Sequence, residues 1–263
     1  MPEVGAHPFL DHPGPLAFAH QGGNRERPEN SIAAFSHAVD DLGFRYLETD
    51  VRLTRDGRVV VIHDAHVDRV TDGQGAVADL DYAELGQLRL WAPDGQLSEE
   101  PVPLLDELLV RWPDVRWNID AKEDRVAHPL ASLVARLGMV DRVCLGAFAG
   151  RRVAVLRRRL GAGLCTVCGP LDVARLLARG YGVPVGRPRG GCAQVPVRRY
   201  GITIVTERFV GAAHRAGLAV VVWTVDDEAE MHRLLDLGVD GLMTDRPSLL
   251  RAVLEARGAW HGR

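Results

Sequence analysis

Two histidines, His20 and His63, bracket a stretch in which Glu48 and Asp50 stand two residues apart. Imidazole titrates close to neutral pH, so such a pair can give and take protons. Tyr46-Leu-Glu-Thr-Asp-Val51 alternates in polarity and reads as a strand, from which Glu48 and Asp50 point the same way. Asp56-Gly57 lies between two alternating runs and signals a tight turn. The chain is therefore expected to fold back as a hairpin and return His63-Asp64 to the carboxylate strand. Two imidazoles and two carboxylates then share one neighbourhood. Further along, Asp120 and Lys122 close another apolar run, Val115–Asp120. The chain has 32 Lys plus Arg, and Lys122 is its single lysine. A chain that otherwise uses Arg throughout and keeps one Lys points to a place that needs a compact ammonium.

These segments resemble the glycerophosphodiester phosphodiesterase family. That family's pattern is matched by His20-Gln21-Gly22, Pro28-Glu29-Asn30-Ser31, Ala34-Phe35, Glu48-Thr49-Asp50-Val51, Thr54-Arg55-Asp56-Gly57 and Val60-Val-Ile-His63-Asp64. Later matches are Asn118-Ile-Asp120-Ala-Lys122, Trp223-Thr-Val-Asp226, Gly238-Val-Asp-Gly241 and Thr244-Asp-Arg-Pro247. The resemblance covers nearly the whole chain. Three positions depart from the pattern: Gln21 stands where the family has Arg, Asp120 where Glu is commoner, and Asp226 where Asn is usual.

A phosphodiester is an anion that resists nucleophilic attack. Its cleavage needs charge neutralisation, an oriented nucleophile and a proton for the leaving alkoxide. Glu48, Asp50 and Asp120 offer three hard oxygen donors, which suits Mg²⁺ or Ca²⁺. Crowded without a cation, one of the three would have to take up a proton. Lys122 adds positive charge at a phosphate oxygen, and His20 and His63 fit general base and general acid. The resemblance implies the same roles, with Trp223 as a wall for the glycerol or alcohol moiety and Gln21 at the phosphate. It also implies hydrolysis of small-molecule glycerophosphodiesters to glycerol 3-phosphate and an alcohol. Two routes stay open: a cyclic phosphate formed by a glycerol hydroxyl, or direct attack by water. Lysophospholipase D-type action on lysolipids and a noncatalytic phosphate- or lipid-binding relative are the alternatives. Gln21 lacks the charge of Arg, and the loop arginines Arg25 and Arg27 are expected to supply it.

The elements that must position these groups follow the same alternation. Pro28-Glu-Asn-Ser31 starts a helix capped by Asn30 or Ser31, with Ile32, Phe35, Val39 and Leu42 on its apolar face and Gly43 as its stop. Apart from the hairpin arm, strands end near His20, Asp50, Lys122, Phe148, Val167, Val195, Val225 and Asp245, mostly with helices between them. Eight such units predict a (β/α)8 TIM barrel over residues 1–263 as a single domain, with a β-hairpin arm and a small loop-rich insertion, 64–103, after the second barrel strand. The resemblance implies that the insertion helps to cover the site. In such barrels chemistry gathers at the C-terminal strand ends, where His20, Glu48, Asp50, Asp120, Lys122 and Trp223 all fall. Residues 1–15 read as a loose lead-in with no secretory signal. A formal charge of −3 gives no case for a nucleic-acid partner, and no apolar run is long enough to span a bilayer. Cys144, Cys165, Cys168 and Cys192 read as buried thiols of a reduced, cytoplasmic protein. The oligomeric state is not legible.

Overall fold

The computed structural model describes residues 7–263. Eleven strands are formed: β1 Leu16–His20, β2 Tyr46–Leu53, β3 Val59–Val61, β4 Arg116–Ala121, β5 Val143–Gly146, β6 Cys165–Thr166, β7 Cys192–Pro196, β8 Arg198–Arg199, β9 Ile202–Thr203, β10 Ala219–Trp223 and β11 Gly241–Thr244. Eight pair in parallel in the order β6-β5-β4-β2-β1-β11-β10-β7. The two ends of that order meet at a parallel Val167–Cys192 bridge, where Cys168 N donates to Cys192 O at 2.9 Å. The sheet thereby curls into the expected (β/α)8 barrel. Its register follows from period-two alternation. Leu47 and Val51 of β2, Trp117 and Ile119 of β4, and Val220 and Val222 of β10 face outward into the layer shared with the helices. Tyr46, Phe18, Val221 and Met243 face inward, together with Cys144, Cys165 and Cys192.

The helices start and stop where local chemistry dictates. The first, α1 Ile32–Ser36, is capped by Ser31, whose hydroxyl accepts from Ala34 N at 3.0 Å. It widens into a π turn over His37–Asp41 and ends at Gly43, which holds φ +77°. The other helices are α2 Tyr82–Leu85, α3 Leu105–Arg111, α4 Ala127–Arg136, α5 Gly150–Leu160, α6 Pro170–Gly180, α7 Glu207–Arg215, α8 Glu228–Asp236 and α9 Pro247–Ala256.

The hairpin arm is formed as expected. β3 runs antiparallel to β2 with Val51 opposite Val61 and Leu53 opposite Val59. The 64–103 insertion is more ordered than its loop-rich sequence suggests. Ile62, Val67, Val70, Val77, Leu85 and Leu90 give it a small core of its own. The lead-in, in contrast, is not loose where it is described. Phe9 and Leu10 are buried inside the barrel's N-terminal end, where Phe9 packs edge-on against Tyr46 and Tyr46 Oη donates to Phe9 O at 2.9 Å. A barrel interior exposes apolar side chains at both ends, and here the chain's own beginning covers one of them. Residues 1–6 of the expected lead-in lie outside the described residues. A second hairpin, β8–β9, has no turn signal in the sequence. Its two-residue turn holds Tyr200 at φ +49° and Gly201 at φ +78°. Such turns favour Asn or Gly at the first of these positions, and a tyrosine gives no signal.

Gly22 follows the first strand in a left-handed conformation, and a Cβ there would stand 2.7 Å from Ala34 Cβ and 3.0 Å from Phe35 N. Gly22→Ala therefore forces the β1–α1 loop away from the helix. The expected cost is about 1–3 kcal/mol, read as a lower midpoint in chemical denaturation. An unchanged midpoint would show that the loop yields freely.

Candidate active site

Tyr46, Glu48 and Asp50 share the inner face of β2, and Asn118 and Asp120 share that of β4. The strands pair with Glu48 beside Asn118 and Asp50 beside Asp120. Parallel pairing thus sets two carboxylates side by side, and His20 of β1 lies beside Glu48 on the other flank. His20, Glu48, Asp50, Asn118 and Asp120 sit at the C-terminal end of the barrel, in a cavity of about 620 Å³ that His63, Lys122 and Trp223 also line. The structure thereby brings His20, Gln21, Glu48, Asp50, His63, Asp120, Lys122 and Trp223 to one cavity.

Each histidine is held from behind by a carboxylate. His20 Nδ1 lies 2.6 Å from Asp245 Oδ1, and its Nε2 faces Glu48 Oε2 at 3.6 Å. His63 Nδ1 lies 2.6 Å from Asp64 Oδ1. Asp64 is bonded in turn to Arg69 of the insertion, whose guanidinium forks onto Glu29 at 2.7 and 2.9 Å. The insertion is therefore tied to the β1–α1 loop through the residue that orients His63. Asn30, the neighbour of Glu29, accepts from Thr49 Oγ1 at 2.7 Å and ties the same loop to the outer face of β2. Behind Asp245, the Asp226 carboxylate accepts from Asp245 N at 2.8 Å and from Thr244 Oγ1 at 2.9 Å. An acid at position 226 does this as well as an amide oxygen.

Lys122 Nζ sits 2.8 Å from Asp50 Oδ1 and 2.8 Å from Asp120 Oδ2. Gln21 Nε2 donates to Asp50 Oδ2 at 2.7 Å, and Gln21 Oε1 accepts from Asn24 at 3.0 Å. Gln21 thus uses its amide on a carboxylate inside the cavity. Arg25 and Arg27 are exposed and do not line the cavity, so neither takes the place expected of it as a substitute cation. The loop that carries them turns outward, and Arg27 donates to the neighbouring carbonyl of Glu26. Arg199, from the β8–β9 hairpin, does line the cavity on the far side, over Phe148 at 5.8 Å.

The electrostatics are those of crowded acids in a low dielectric. Burial pushes the Glu48 carboxyl up, Asp50 adds to the push, and together they outweigh His20 and Lys122 to bring it to about 8. Burial alone would lower His20, but Glu48, Asp245 and Asp50 raise it to about 9. Asp50 stays below its ordinary value despite burial, held down by Lys122 and His63. Burial opposes the charge on Lys122 as well, and Asp50 and Asp120 outweigh it and raise the ammonium. Asp64 is lowered to about 2, with Arg69 and His63 overcoming its partial burial. Asp120 Oδ1 is buried with no hydrogen-bond partner.

The Cys165-x-x-Cys168 spacing does not make a pair of facing thiols. Cys165 faces inward with Cys144 and Cys192, while Cys168 belongs to the outer layer. Among the described residues, that inward trio is the one set of three whose candidate donor atoms all lie within 4.8 Å of one another. The carboxylates of the site do not meet that criterion with Lys122 lodged between two of them.

The sequence model of the glycerophosphoryl diester phosphodiesterase family matches residues 20–146 and 181–249. The chain belongs to this family. It is 40% identical over 261 residues to a protein of Mycobacterium tuberculosis named probable glycerophosphodiester phosphodiesterase 2, with 97% of this chain and 96% of that one covered. A glycerophosphodiester phosphodiesterase of Caldanaerobacter subterraneus is 32% identical over 246 residues, covering 89% and 96%. The crystal structure of a glycerophosphodiester phosphodiesterase from Agrobacterium tumefaciens superposes with a TM-score of 0.72 at 28% identity, over 90% of this chain and 99% of that one. Family membership makes the chain a hydrolase, a phosphodiesterase of glycerophosphodiesters. Asp245 and Asp64 sit inside segments that match the family's pattern, Thr244-Asp-Arg-Pro247 and His63-Asp64, but neither is near its histidine's other contacts in a way that local spacing signals. Arg199 lies in no such motif, and only the fold of its hairpin brings it to the cavity.

The protonation of Glu48 and His20 fixes a pH dependence. Both hold their protons more tightly folded than unfolded. Between about 4.5 and 8 for Glu48, and about 6.5 and 9 for His20, the folded state binds more protons, so raising pH removes stability. In chelator, the thermal midpoint should fall as pH climbs from about 5 to about 9, and Glu48→Gln should flatten the lower part of that slope. A midpoint that rises through this window would contradict the proton assignment.

Proposed function

We propose that the chain is a divalent-cation-dependent phosphodiesterase that cleaves glycerophosphodiesters to glycerol 3-phosphate and an alcohol, with His20 and His63 as its acid–base pair. One observation carries the reading: two imidazoles, each fixed at Nδ1 by its own carboxylate at 2.6 Å, flank a cluster of three acids in one cavity. Asp245 and Asp64 fix the tautomer of each ring, so both Nε2 atoms are left for the reacting groups. One histidine takes the proton of the attacking water or glycerol hydroxyl and the other returns a proton to the leaving alkoxide; where the glycerol hydroxyl attacks, water then opens the cyclic phosphate with the two roles exchanged. Lys122 places an ammonium at the phosphate. Trp223 forms the wall against which the glycerol carbons rest. Gln21 acts by holding Asp50, which leaves it a positioning residue more than a phosphate ligand.

Glu48, Asp50 and Asp120 would hold the cation. Their donor set is all oxygen, which selects Mg²⁺ or Ca²⁺. The unpartnered Asp120 Oδ1 and the Glu48 carboxyl, raised to about 8 by burial and then by the neighbouring Asp50, are what a bound cation would satisfy. Such an ion supplies charge neutralisation at the phosphate oxygens. A reducing, cytoplasmic setting belongs to the same proposal, supported by four free buried cysteines.

A second reading concerns what the glycerol carries. Beyond the acids the cavity is walled by Phe148, Val173, Leu177, Val195 and Ile204. Such a wall suits the acyl chain of a lysolipid better than a small polar head group, and it favours lysophospholipase D-type action at the same site.

Two outcomes test these readings. His20→Ala and His63→Ala should each lower kcat by about 10²–10⁴-fold with folding intact, and exhaustive chelation should abolish turnover that Mg²⁺ or Ca²⁺ restores. Near-normal turnover in either variant removes that histidine, and full activity under chelation removes the cation. Steady-state rates on glycerophosphocholine and lysophosphatidylcholine separate the two substrates. Leu177→Asp should depress the lysolipid reaction selectively, and equal losses on both would deny the apolar wall a role in holding the acyl chain.

A further inference from the structure

Charge is distributed unevenly along the chain. Residues 143–206 hold eleven arginines, no lysine and a single acid, Asp172, whereas the 64–103 insertion holds nine acids and two arginines. The strand order sets the insertion across the cavity mouth from the connections that follow β5, β6 and β7, and Arg198 and Arg199 of the β8–β9 hairpin give that second half of the rim a basic edge. The basic half is also where large apolar side chains stand in solvent. Phe148 after β5 is 54% exposed, Leu171 at the start of α6 is 65% exposed, and Tyr200 and Ile202 of the β8–β9 hairpin are 90% and 63% exposed. Arg198 and Arg199 lie among them, and neither has an acidic partner among the described residues. The Arg199 guanidinium stacks over the Phe148 and Tyr200 rings at 5.8 and 5.3 Å. Apolar side chains scattered singly on a surface need no explanation. Four from three successive strand-to-helix connections at one edge of a cavity, interleaved with unpaired arginines, do.

We propose that this half of the rim, built by Phe148, Leu171, Tyr200, Ile202, Arg198 and Arg199, docks on an anionic phospholipid bilayer. The chemistry is complementary on both counts. The guanidinium groups meet lipid phosphates, which they pair bidentately, and the aromatic and aliphatic tips enter the headgroup boundary, where amphipathic rings and long basic side chains are most stable. The acidic insertion is repelled by the same surface, so the two halves together fix the orientation, with the basic edge down and the apolar wall of the cavity opening toward the lipid. No helix among the described residues is long and apolar enough to cross a membrane, so attachment is peripheral and reversible. The proposal does not depend on which alcohol is released, because binding is read without turnover.

Co-sedimentation of the full chain with vesicles tests it. Binding is expected to vesicles of phosphatidylcholine with phosphatidylglycerol, to be weak with phosphatidylcholine alone, and to fall as salt is raised. Arg198→Glu should lower the partition coefficient about fivefold for each unit of charge changed, and Leu171→Ser and Ile202→Ser should each weaken it further. None of these three residues lines the cavity, so turnover of dissolved glycerophosphocholine should stay at the wild-type level. Unchanged thermal midpoints exclude loss of folding as the cause. Failure of the wild-type chain to sediment with anionic vesicles would overturn the proposal, as would equal binding by all three variants. A wild-type dimer in light scattering that Ile202→Ser converts to monomer, without vesicle binding, would assign the surface to a second copy of the chain and also overturn it.

Discussion

The structure turns on the crowding of three acids in a space that water barely reaches. Parallel pairing of β2 and β4 sets Asp50 beside Asp120, and alternation puts Glu48 on the same face. Like charges at this range in a low dielectric repel strongly. Every polar group nearby can be understood as a response to that repulsion. Lys122 bridges two of the acids, Gln21 donates to one, and His20 stands against the third. What is left over appears as a proton retained on Glu48 and an unpartnered oxygen on Asp120. The same arrangement that strains the isolated fold is the one suited to a cation and a phosphate. The site is thus assembled against its own electrostatics by a core that over-determines the strand register.

A second layer steadies the first. Neither histidine relies on the strand that carries it for orientation. His20 leans on Asp245, which leans on Asp226, and His63 leans on Asp64, Arg69 and Glu29. These chains cross between segments far apart in sequence. They give the Pro28-Glu-Asn-Ser31 segment a part beside the cluster of acids and histidines without its entering the cavity. Ser31 starts the helix, Asn30 fastens the loop to β2, and Glu29 fastens it to the insertion. The positioning of His63 therefore depends on the insertion keeping its own small core.

The cavity divides into two chemistries with a sharp border. On the side of β1, β2 and β4 it is acidic and hydrogen-bonded, and on the side of β5, β6 and β7 it is apolar, with arginine at its edge. Division of this kind suits an amphiphile with its phosphate among the acids and its acyl chain against the apolar wall. It also links the exposed aromatic rim to the interior, since Phe148 and Tyr200 belong to both.

Much of this was legible in the sequence because it is local. Period-two alternation fixed which side Glu48 and Asp50 take, Asp56-Gly57 fixed the hairpin arm, Ser31 and Gly43 fixed the ends of the first helix, and the succession of strand and helix patterns fixed eight units. A barrel then places strand ends together whatever the loops do, which is why His20, Asp120, Lys122 and Trp223 could be assigned to one cavity from their register alone. Long-range partners were not legible. Nothing near His20 in the chain announces Asp245, and nothing near Phe9 says that it fills the bottom of the barrel. Arg25 and Arg27 were closer in sequence to the phosphate position than Arg199, yet the loop turns them outward and a hairpin with an unexpected tyrosine at its turn brings Arg199 in. Sequence determines the direction in which a side chain leaves its own element, because backbone periodicity is local. Which distant group meets it is decided only when the ring of strands closes.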